Sequence, residues 1–176
     1  MLGGSYVGKG VAELNLRLLD DAVRTLEEGE RAFQEAGEDD FRLIPFGMLG
    51  MAARLQGDNA GAWRRYGEAL SSSHRRSFRL GISLTLLCMA DLALLEGKPE
   101  PATILAAAAA RLSEELGGTP PFESVGIAHP LERARTELPP ERYDAAVARG
   151  RETPIDEIVQ LGLAMAAGVL DETFNS

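Results

Sequence analysis

A chain of 176 residues with 45% hydrophobic content is long enough to bury one core, and its size fits one domain. Alanine and leucine supply 25 residues each, whereas valine and isoleucine supply 7 and 6, and this shortage of β-branched side chains argues against a sheet-rich fold. A formal net charge of −9 argues against nucleic acid or an anionic membrane as the partner of the whole chain, and the single cysteine, Cys88, excludes an intrachain disulfide framework or a Cys-rich metal site.

Taken in order, Met1 to Ser5 lacks the basic stretch and apolar run of a secretory signal, so the cytoplasm is the expected location. Helices are predicted over about 5–17 and 19–36, closed by Gly37 and the acidic turn Glu38-Asp39-Asp40. A second pair is predicted over about 41–56 and 59–73, with Pro45 inside the first turn, where its missing N–H matters least. The third pair covers about 79–96 and 99–116, opened by Pro99, with Gly57, Gly97 and Gly117 as C-terminal stops. The most apolar window, Leu80 to Leu95, is shorter than the roughly 20 residues of a membrane span and contains Asp91, so it predicts a buried helix. Beyond Gly117 prolines divide the chain, and shorter helices are expected near 122–137, 140–149 and 154–169. The last is read with Thr153 as N-cap and Pro154 as its first residue.

The first 117 residues repeat without gaps at a spacing of 40. Gly10, Gly50 and Ala90 form one column, and Ala22, Ala62 and Ala102 a second. Leu26, Tyr66 and Ala106 form a third, and Gly29, Ala69 and Ala109 a fourth. The columns read small, small, large-or-small and small, which is what two antiparallel helices need in order to pack closely. The pattern resembles the tetratricopeptide repeat (TPR), and the second copy carries it best, with Gly50, Gly57, Ala62, Tyr66 and Ala69 at the consensus positions. The expected fold class is therefore all-α: a TPR-like antiparallel helix-pair solenoid over 1–117, with 118–176 as a helical cap packed on the last repeat in one structural domain. Repeats of this length, together with Ile104 to Gly117 followed by Thr119-Pro120-Pro121, and the block Tyr143 to Glu157, resemble the C-terminal helical arm of LuxR- and MalT-type bacterial transcriptional regulators.

Candidates for chemistry are few. Gly3 to Gly10 spells G-x-x-x-x-G-K, but Gly10 replaces the Ser or Thr that would bind magnesium, and no strand precedes it. Cys88, His74 and His129 show no activation signature, so no catalytic residue, metal ligand or cofactor is predicted. The TPR resemblance implies a binding face lined by the first helix of each pair, and its columns give Asn15, Met51, Arg54, Leu87, Asp91 and Leu95. An apolar setting for Asp91 calls for either a ligand or an ion pair with Arg54.

Charge is strongly segregated. Residues 13–40 carry a net −7, 41–80 a net +5 and 81–176 a net −8. Arg64, Arg65, Arg75, Arg76 and Arg79 thus form a basic island, read as solvated helix ends or as a docking patch for carboxylate or phosphate. The acidic first repeat of a second copy is one candidate partner, which would give a head-to-tail homo-oligomer. The expected function is a non-catalytic protein-interaction or ligand-sensing domain of a bacterial regulator, binding a protein, peptide or small inducer. A free-standing self-associating scaffold or adaptor is the alternative.

Overall fold

A computed structural model describes residues 2–118 and 129–168. It is all-helical over these residues. Six long helices come first: α1 (Leu2–Asn15), α2 (Leu19–Glu35), α3 (Leu43–Leu55), α4 (Asn59–Arg75), α5 (Arg79–Leu95) and α6 (Pro99–Glu115). Three more follow: α7 (Pro130–Glu137), α8 (Pro140–Glu152) and α9 (Ile155–Ala166). Each of α1 to α5 packs on its successor, and α3 also packs on α1 and α5. The predicted stretch 122–128 lies outside the described residues, and α7 starts at Pro130 with His129 as its N-cap.

The helix ends explain the regularity. Left-handed backbone occurs at Arg17, Gly37, Gly57, Ser77, Gly97 and Gly117, one residue every 20. At each, the next amide reaches back to a carbonyl five residues earlier: Leu18 to Glu13, Glu38 to Phe33, Asp58 to Ala53, Phe78 to Ser73, Lys98 to Ala93 and Gly118 to Ser113. These are Schellman closures, which satisfy carbonyls that a helix end leaves unpaired. Glycine adopts this conformation without a Cβ penalty, whereas Arg17 (φ 61°) and Ser77 (φ 56°) carry the strain of an L side chain there. Replacing Ser77 by Gly is expected to stabilise the protein by about 1 kcal/mol. A raised urea midpoint at unchanged slope would show it, and an unchanged midpoint would contradict it.

The small columns lie where helices touch. A Cβ added at Gly10 would meet the Leu26 side chain at 2.7 Å, and one at Gly50 would meet the Tyr66 ring at 2.5 Å. In the third pair both positions are alanine, and Ala90 and Ala106 are completely buried. Large against glycine and alanine against alanine are two ways of filling the same gap.

The C-terminal helices spread over the array. α7 packs on α5 and α6, α8 lies along α6, and α9 crosses to α4 while still touching α6. Mid-helix glycines permit this: a Cβ at Gly150 would strike the Ile104 carbonyl oxygen at 2.3 Å, and one at Gly162 would meet Leu70 at 2.8 Å. One boundary differs from expectation. Thr153 closes α8 in extended backbone, and Pro154, not Thr153, occupies the N-cap position of α9. A residue before proline is driven to extended conformation, and no side-chain cap bond forms at the start of α9.

Candidate functional site

Asp91 is the most buried carboxylate described, 1% exposed, on the fourth turn of α5. Arg54 at the end of α3 brings Nη2 to 2.7 Å from its Oδ2, and Arg133 of α7 donates to Oδ1. The ion pair weighed for Arg54 and Asp91 is therefore present, and a second guanidinium joins it from 42 residues further along. Burial pushes the Asp91 carboxyl above its ordinary range, and Arg54 and then Arg133 pull it back only in part. The approach of Arg54 to Oδ2 is off the hydrogen-bonding direction, and Arg54 Nε is buried without a hydrogen-bond partner.

Beside this triad lie Tyr66 of α4 and Cys88 of α5. Tyr66 is fully buried and Cys88 nearly so. Burial drives the tyrosine hydroxyl well above its ordinary value and the Cys88 thiol up to about 12. Cys88 is thus a protonated thiol away from solvent, which is the opposite of a reactive cysteine. The cluster joins α3, α4, α5 and α7, and its chemistry is that of a charged clamp.

The remaining residues assigned to the binding face divide. Met51 and Leu87 are 1% and 0% exposed, so they serve the core and offer no surface, and Asp91 is likewise enclosed. The reason is that α3 and α5 are covered by neighbouring helices on both sides, leaving little of either helix in solvent. Asn15 is exposed at the end of α1, and Leu95 is 51% exposed at the end of α5.

The basic island also divides. Arg76 holds Asp40 at 3.1 Å and Asp39 at 3.3 Å, so the acidic turn and the basic repeat meet within one molecule. Arg79 pairs with Glu115, and Arg75 donates to the hydroxyls of Ser71 and Ser72. Arg64 and Arg65 lie about three turns away on α4, where Arg65 stacks over the Phe46 ring at 5.9 Å. Arginines close together in sequence are thus spent on different partners.

The two histidines have separate partners. His74 ends α4 and meets Asp156 of α9 at 2.8 Å, while His129 Nδ1 accepts the Leu131 amide at the start of α7. Among the described residues no three His, Cys, Asp or Glu side chains converge to hold a metal. Gly3 to Gly10 is part of helix α1 and forms no loop; Gly3 lies against Phe33 and Gly10 against Leu26, so these two glycines serve helix packing. No described helix is long and apolar enough to cross a membrane.

Sequence reasoning missed Arg133, His74 with Asp156, and the run of pairs fastening the tail. Arg142 meets Glu100 and Arg151 meets Glu114, the latter contact holding the Glu114 carboxyl below its usual range. Gly67 and Gly162, inside predicted helices, and Gly150, just past the predicted end of another, were the available signal of close helix crossing. No family model, curated protein or solved structure matches this chain.

Proposed function

We propose that the chain is a TPR-like solenoid of three helix pairs with a helical cap, and that it acts as a non-catalytic interaction or ligand-sensing domain of a bacterial signalling or transcriptional regulator. The supporting observation is the left-handed closure repeated every 20 residues from Arg17 to Gly117. Identical closures stack successive helices in one register, and such arrays present extended surfaces suited to binding. Polar chemistry inside the molecule is consumed by structure: Asp91 by two arginines, and Cys88 by burial.

The regulator reading predicts recognition of a defined partner. Selection of displayed peptides on the immobilised protein should yield a shared motif, and bound peptide should protect exposed amides from hydrogen exchange. Enrichment no better than on an unrelated helical protein would sink it. The scaffold alternative draws on Leu2 and Leu16, 67% and 70% exposed at the two ends of α1. It requires a solution mass that rises with protein concentration, and a constant monomer mass would remove it.

A further inference from the structure

Where the N-terminal halves of α2 and α4 diverge, the surface opens into a cleft of about 420 Å³. Leu49 and Ala53 of α3 line it, and both are largely buried by the surrounding helices. Arg24 of α2 and Arg64 and Arg65 of α4 border it, as do Asp20 and Asp58.

The charges are not equally available. Asp58 caps α4, accepting the Gly61 amide at 2.8 Å, and Asp20 sits in the first turn of α2. Both answer the positive ends of helices. Arg24 is held by Asp21. Arg64 and Arg65 have no ion pair among the described residues, in contrast to Arg76 and Arg79. The Arg65 guanidinium lies over the Phe46 ring, which leaves its charge without an acidic partner.

We propose that this cleft docks an acidic protein segment in which carboxylates flank one apolar side chain. Arg64 and Arg65 receive the carboxylates, since a guanidinium fork matches carboxylate geometry. The apolar side chain settles against Leu49 and Ala53, which a bare phosphate would leave wet. Charge complementarity is the argument for this occupant: Arg64 and Arg65 are adjacent guanidinium side chains lining one cleft, and neither has an ion pair among the described residues. The inference rests on the interaction-domain reading and adds a surface and a class of partner to it.

The test uses two fluorescein-labelled peptides, Glu-Glu-Leu-Glu-Glu and Glu-Glu-Ser-Glu-Glu, titrated with the full chain and followed by anisotropy at low salt. The leucine peptide should bind about ten-fold tighter than the serine peptide, the effect of burying one leucine. Arg64→Glu should weaken it about ten-fold, whereas Arg75→Glu, on the same helix but outside the cleft, should change affinity less than about two-fold. Circular dichroism melts of both variants check that the fold is retained. Equal affinity for the two peptides, equal losses in the two variants, or no binding at millimolar peptide would each overturn the proposal. So would a concentration-dependent mass abolished by Arg64→Glu, because a second copy would then be the occupant. If displayed-peptide selection succeeds on another surface while these peptides fail, the interaction reading stands and the cleft does not. If both fail, the reading itself falls.

Discussion

Replacing Arg54 by Met is expected to cost about 3–5 kcal/mol at neutral pH, because it leaves the enclosed Asp91 carboxylate with only the partly exposed Arg133. Met keeps much of the arginine stem, so the loss reports charge more than volume. The double variant Arg54→Met with Asp91→Asn should recover much of that stability, since no ionised carboxylate then needs an answer. The pH dependence follows from the direction of the Asp91 shift. Its folded carboxyl binds a proton more tightly than the unfolded one. Its contribution to stability is therefore greatest when protonated and falls as pH rises, from the ordinary aspartate range near 4 through the raised folded value. Removing Arg54 withdraws a lowering influence and widens this window upward. Urea unfolding of the wild type and Arg54→Met should show a gap that is small near pH 4 and grows towards pH 7. A gap independent of pH would mean that Asp91 is not the group left exposed to the loss.

Helix positions were legible from the sequence because glycine and alanine leave little choice. Gly37, Gly57, Gly97 and Gly117 stop helices by a conformation other residues resist, and all four take positive φ. Arg17 stands in the column that Gly57 and Gly97 hold, and the predicted helices already break near Arg17 and Ser77, but nothing in the chemistry of these two residues announces a left-handed backbone. The site was less legible. Asp91 was identifiable as an anomaly in an apolar helix, and Arg54 as a neighbour one repeat away. Arg133 was not, since its place depends on α7 returning across α5 and α6, and helix returns are set by long-range packing. Periodicity alone says which residues share a face, and burial of both sides of α3 and α5 is what removed Met51 and Leu87 from the surface. The basic island dissolved for a related reason. Arg75, Arg76 and Arg79 are close in sequence, but they lie at the end of α4, at its C-cap and at the start of α5, where the chain turns and each meets different neighbours.

The complementarity between columns leads to a sharper expectation. Gly50→Ala places a methyl 2.5 Å from a ring carbon of Tyr66, whose side chain is fully buried and has no free volume to yield. Overpacking costs about 1–3 kcal/mol, partly offset by the roughly 1 kcal/mol that alanine gains over glycine in a helix. Tyr66→Ala alone should cost about 3–5 kcal/mol, through lost burial and the cavity left behind. Made together, the two changes recreate the alanine pair that positions 90 and 106 already carry in the third repeat. The double variant should therefore be more stable than the sum of the two losses predicts, by about 1–2 kcal/mol, because the clash vanishes with the ring. Helix propensity at position 50 enters both arms of this cycle equally and cancels. Urea midpoints of the four proteins supply the coupling. Additivity within about 0.5 kcal/mol would show that Gly50 is not small on account of Tyr66. A coupling of the expected sign would establish that each repeat fills one gap jointly from two helices. Substitutions in this core would then have to be judged by column pairs.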